Sequence, residues 1–94
     1  MNAKIEREVS ASRAEYQRGL LLAYPDAQPV ANQAWRIDDG QAVLEIMVAE
    51  LPPRVIAKLR LPRLRLTLEF LSGSPEAQRA LLNRLDLAMQ RGGG

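Results

Sequence analysis

Along Arg63 to Phe70 the chain alternates without a break, with Leu64, Leu66, Leu68 and Phe70 on one side and Arg63, Arg65, Thr67 and Glu69 on the other. Period two marks a strand with one buried face. A second alternating stretch, Val30 to Glu50, is interrupted by Asp39-Gly40, a strong signal for a tight hairpin turn. A two-residue loop there pairs Trp35 with Leu44, Ile37 with Ala42 and Gln33 with Ile46, and Val48 continues that apolar face. Val30, Arg36, Val43, Glu45, Met47 and Ala49 take the opposite face. Leu51-Pro52-Pro53 lacks amides that a central strand needs, so the chain is expected to turn after Glu50.

Helical spacing takes over on either side of this region. Ser12-Arg13-Ala14-Glu15 reads as a capping box that starts a helix at Arg13. The inner stripe of that helix is Tyr16, Leu20, Ala23 and Tyr24, Pro25-Asp26 stops it, and Gly19 weakens its middle by up to about 1 kcal/mol relative to alanine. Ser74 and Pro75 open a last helix with the stripe Ala77, Leu81, Leu82, Leu85, Ala88 and Met89, ended by Gly92. Residues 4–9 are expected to form a separate short strand. The competing reading is one long helix, because Ile5, Val9, Tyr16 and Leu20 also share a face. Arg54 to Leu61 supports two readings: a short helical connector behind Pro53, or a kinked extension of the next strand. A hairpin is excluded there by the single residue Pro62 that separates the two segments.

The predicted order is therefore strand, helix, three strands, helix: an α+β fold with an antiparallel meander sheet of three to four strands and two amphipathic helices on one face. One domain over 1–94, with 1–3 and 92–94 as frayed ends, suits the length. Trp35, Ile37, Leu44, Ile46, Leu64, Leu66, Leu68, Leu81 and Leu85 are the expected shared core.

From Ser12 to Arg91 the helix, meander and helix resemble the order of double-stranded RNA-binding domains. The lysine-rich start of the second helix in those domains is replaced here by Ser74-Pro75-Glu76-Ala77-Gln78 and a single Arg79, which removes the main phosphate clamp. A strand leading into a capped helix, a meander and a long final helix is also similar in layout to helix-grip ligand-binding folds, with too few strands to wrap a large cavity. Gln90-Arg91-Gly92-Gly93-Gly94 resembles the terminal Gly-Gly of ubiquitin-like and sulfur-carrier proteins, but in those the tail leaves a strand. A helix cap is the simpler expectation here.

Composition changes the picture mainly by exclusion. The chain has no histidine and no cysteine, so the commonest acid–base groups, nucleophiles and transition-metal ligands are missing, and neither disulfides nor thiolate metal sites can form. No catalytic, metal or cofactor residues are expected, and the protein is read as non-enzymatic. Asp38 and Asp39 are adjacent carboxylates, but aspartate at a tight turn serves local hydrogen bonding. No apolar run is long enough to cross a bilayer and no signal-peptide centre is present, which points to a cytoplasmic location.

Charge is unevenly spread. The formal net charge is +2, yet residues 1–53 balance to −3, residues 54–65 hold Arg54, Lys58, Arg60, Arg63 and Arg65 with no acid, and the remainder is neutral. This band is a candidate nucleic-acid patch, though the four aromatics, Tyr16, Tyr24, Trp35 and Phe70, are all expected inward and leave no stacking platform. The leading expectation is an interaction module acting through its open sheet face, with Val43, Met47, Arg36, Glu45, Arg63, Arg65 and Thr67 as the candidate contact residues. Its partner would be another protein or a second copy in a homodimer. A nucleic-acid-binding protein is the alternative and a small-ligand-binding domain the third.

Overall fold

A computed structural model describes residues 4–93, with side chains through Met89. Its elements are β1 (Lys4–Val9), α1 (Arg13–Ala23), β2 (Gln28–Ala31), β3 (Ala34–Asp38), β4 (Val43–Ile56), β5 (Leu59–Ser72) and α2 (Pro75–Gly93). The five strands form one antiparallel sheet in the order β1-β5-β4-β3-β2. The α+β class, the antiparallel sheet and both helices agree with the sequence reading. The strand number and the element order do not agree in detail.

Three departures have local causes. The expected first run of the meander is two strands, because Asn32-Gln33 turns the chain between Ala31 and Ala34. The hairpin loop at Asp39-Gly40 has four residues, and Trp35 pairs with Ile46 and Ile37 with Leu44. A two-residue type I′ loop would need positive φ at both central positions; Gly40 has it (φ 87°) and Asp39 does not. The Asp39 carboxylate accepts instead from the amides of Gln41 and Ala42, both at 2.8 Å, and holds the wider loop. Because the register differs by two residues, Trp35, Ile37, Leu44, Ile46 and Val48 keep their expected face, while Gln33 leaves the ladder for the turn. The third departure is larger. β4 does not turn after Glu50 but runs through Pro52 and Pro53 to Ile56, so Arg54 to Leu61 is neither a helix nor only an extension of the next strand. It is the end of a hairpin that turns at Ala57-Lys58 and returns through Pro62.

The core lies between the sheet and the two helices. Leu20, Ile37, Leu44, Ile46, Leu64, Leu68 and Leu81 have essentially no exposure, with Leu66, Phe70 and Leu85 beside them. Trp35 is half-buried against this cluster. α1 starts at the capping box, with Glu15 N donating to Ser12 Oγ (3.1 Å) and Ser12 N to Glu15 Oε1 (2.9 Å). These bonds hold the Glu15 carboxyl below its usual pKa. α1 and α2 approach closely at Gly19, where an added Cβ would lie 2.7 Å from Met89 Sδ; the glycine is a contact point between helices and not only a weak spot in one. β1 joins the sheet edge, with Arg7 reaching Asp86 on α2 at 2.8 Å. α2 continues through Gly92 to Gly93, past the expected stop; residues 1–3 and Gly94 lie outside the described residues.

Truncation of Leu66, 3% exposed, to alanine is expected to lower stability by about 2 to 5 kcal/mol in denaturant unfolding, and a change below about half a kcal/mol would show that its face is not core. Burial pushes the Tyr16 phenol well above its usual pKa, with Asp86 reinforcing the shift and Arg7 opposing it. A raised phenol pKa favours the protonated folded form. Its contribution is therefore complete below a pH of about 10 and is lost as pH rises toward the folded value. In an alkaline absorbance titration, Tyr16 should ionise only together with loss of the far-UV dichroism; ionisation at the ordinary value in a folded protein would contradict its burial.

Candidate interaction face

The helices cover the side of the sheet that bears Trp35, Leu44, Ile46 and Leu66. Alternation leaves the other side to Ala34, Arg36 and Asp38 of β3, Val43, Glu45, Met47 and Ala49 of β4, Arg63, Arg65, Thr67 and Glu69 of β5, and Lys4, Glu6 and Glu8 of β1. All seven residues expected on an open face are brought together there. Met47 is 61% exposed and is its most prominent apolar group. Arg36 donates from Nε (3.0 Å) and Nη2 to Glu45 Oε2, so these two largely satisfy each other.

The basic residues have a more specific setting than a band on a strand. β1 pairs with β5 no further than Leu64, and β3 pairs with β4 no further than Met47. The Val48 amide still donates to the Gln33 carbonyl at 2.8 Å and Glu50 lies 3.6 Å from Arg13, but from Arg54 onward β4 and β5 pair only with each other and project as a two-stranded arm whose pairs are Arg54–Leu61, Val55–Arg60 and Ile56–Leu59. The molecule is elongated as a result, with extents of 45 × 26 × 23 Å. Pro52 and Pro53 fit this segment because the strand there has a free side that needs no donor. A register shift falls between Leu51 and Arg54, and Arg63 Nε donates to the Pro52 carbonyl at 3.1 Å. Arg63 Nη1 also lies 3.7 Å from Glu8, so this residue braces the root of the arm. Among the described residues Arg54, Lys58 and Arg60 enter no ion pair.

The arm also holds exposed apolar side chains that the sequence reading did not single out. Val55 and Leu59 are each 62% exposed, Ile56 49% and Leu61 36%. Counting by twos along β5 places Leu59 and Leu61 on the same side as Arg63, Arg65 and Thr67, and the cross-strand register adds Ile56 and Arg54 to that side. The open face of the sheet therefore continues onto the arm. The alternation of Arg54–Leu61 was the available signal, and Pro53 beside Val55, Ile56 and Leu59 left it open between strand and helix.

Asp38 and Asp39 are engaged in their loop. Asp38 Oδ1 accepts from Gly40 N at 2.9 Å, and Asp39 accepts from the two amides already named. They line a shallow cleft of about 250 Å³ with Asp26, Tyr24 and Arg84, whose guanidinium carbon lies 4.7 Å from the centre of the Tyr24 ring. On the helical side, Leu22, Ala23, Arg84, Leu87 and Ala88 line an open groove of about 540 Å³. Among the described residues no helix is long and apolar enough to cross a membrane. No protein-family model matches the chain, and no curated protein matches it in sequence.

Ala57 turns the arm at φ 54°, a left-handed conformation that costs a non-glycine residue roughly 1 to 2 kcal/mol. Ala57→Gly is expected to relieve part of this and slow amide hydrogen exchange in residues 54–61 severalfold, without a comparable change in the core strands. Unchanged or faster exchange in the arm would show that the turn stores no such strain.

Proposed function

We propose that this chain is a non-enzymatic interaction module whose contact surface is the open sheet face together with the arm. The supporting observation is the continuity of that surface: Met47, Leu61, Leu59 and Ile56 expose apolar side chains along one side of a single β4–β5 ladder, interleaved with Arg54, Arg65 and Thr67. Exposed apolar groups in a row, rimmed by charge, are the composition of a protein contact. A partner would gain by burying them, at about 25 cal/mol per Å² of apolar area before the costs of association.

Nucleic-acid binding is the second reading, favoured by one observation, the concentration of acid-free positive charge on a projecting two-stranded arm. Salt separates the two, because phosphate contacts weaken steeply with added salt and apolar burial does not.

Photo-crosslinking tests the surface itself. A crosslinking amino acid placed at Met47 or Leu59 is expected to give protein adducts in the cell of origin, whereas the same group at Leu87, equally exposed on the helical side, gives few. Adducts from position 87 alone would overturn the assignment.

A further inference from the structure

The open face has a charge gradient along its length. At the end where the Asp39–Ala42 loop lies, Asp38, Glu45, Glu69 and Glu6 outnumber Arg36 and Lys4. Toward and onto the arm the balance reverses, with Arg65, Arg63 and Arg54, and Lys58 in the turn at the tip, against Glu8. Apolar side chains occur at both ends: Val43, Met47 and Leu71 beside the acidic group, and Ile56, Leu59 and Leu61 beside the basic one.

Resting on the open face as contact surface, we infer that its occupant is a second copy of this chain, packed antiparallel so that each arm lies across the acidic end of the other's sheet. A two-fold axis near Ala49 and Arg65 brings Ile56 and Leu59 of one copy over Val43, Met47 and Leu71 of the other. The same axis sets Arg54 against Glu45 and Glu69 and Arg63 against Glu6, and brings Lys58 at the arm tip to the level of Asp38 and Asp39. Every contact then occurs twice, as an isologous interface requires. Arm-to-arm pairing would bring Arg54, Lys58 and Arg60 of both copies together with no acid between them, and a parallel stack would set like charge on like along the whole face. Nucleic acid matches only the basic half, and the carboxylates of the other half repel it. Pro52, Pro53 and Pro62 lack amide donors and the ladder shifts register beside them, which disfavours strand addition at the root of the arm, so the partner meets side chains on its face.

The test uses three proteins in sedimentation velocity from low micromolar to submillimolar concentration, each checked for an unchanged far-UV dichroism and unfolding midpoint. Wild type is expected to dimerise. Arg54→Glu with Lys58→Glu, which reverses the arm, and Glu6→Lys with Glu69→Lys, which reverses the sheet end, should each raise the dimer dissociation constant at least about tenfold. Neither glutamate forms an ion pair among the described residues. Mixing the two variants should restore dimers, because each arm then meets a face of opposite sign. If the sheet-end variant dimerises like wild type, the arms pair with each other and the inference is overturned. A wild-type monomer at every concentration overturns it as well, as does a monomer that binds a mixed-sequence DNA duplex at low salt. In the crosslinking experiment, adducts of Met47 and Leu59 with other proteins alone would remove the second copy and leave the contact surface standing, whereas no adducts would remove both.

Discussion

The antiparallel ladder between β4 and β5 is the constraint on which the rest of this structure depends. Each strand has 14 residues, and at about 3.3 Å per residue each runs the full 45 Å of the molecule. Its inner half supplies Leu44, Ile46, Val48, Leu64, Leu66, Leu68 and Phe70 to the core, and β1 and β3 attach to its two sides. Its outer half has neither a covering helix nor a third strand. An isolated two-stranded ribbon is marginal in water, so the arm's order derives from its continuity with a ladder anchored in the core.

That division explains the distribution of prolines and charge. Inside the sheet a proline would leave a neighbouring strand's carbonyl without a donor; on the arm each strand has a neighbour on one side only. The register shift beside Pro52 and Pro53 frees the Pro52 carbonyl, and the Arg63 guanidinium, steadied by Glu8, supplies the missing donor. Of the five residues in the basic band, then, Arg63 is explained by the fold. Arg54, Lys58 and Arg60 are not; Arg54 shares the side of Ile56 and Leu59, Lys58 sits at the turn, and Arg60 lies with Val55 on the other side.

Much of the architecture was legible because its signals are local or strictly periodic. Ser12 and Glu15 fix the start of α1, the alternation around Leu66 fixes a face, and a register difference of two residues at the Asp39 loop changes which residues pair without changing which are buried. The missed features are those in which tertiary context decides between equal local preferences. Asn32-Gln33 is a weak turn signal that becomes a hairpin because β3 must reach the register set by β4. Pro52-Pro53 stops a central strand and is compatible with an unaccompanied one, and nothing in the residues themselves states that β1 and β3 end before it. Alternation therefore placed Arg36, Val43, Met47 and Arg65 on one side of the sheet, and the continuation of that side onto the arm was missed.

The prolines that hid the arm also bear on how it can be used. A free strand edge ordinarily invites another strand, and the usual protections are charge, proline or a bulge. This arm has all three, in Arg54 and Arg60, in Pro52, Pro53 and Pro62, and in the register shift at its root. Edge pairing is thereby disfavoured on both sides while the face with Ile56, Leu59 and Leu61 is left open. Protection of the edges without protection of the face is a combination that general solubility does not require, since a charge in place of Leu59 would serve solubility better. It is what a surface needs if it must meet one complementary face and avoid indiscriminate strand addition, and the graded charge along the same ladder supplies the direction in which that face must lie.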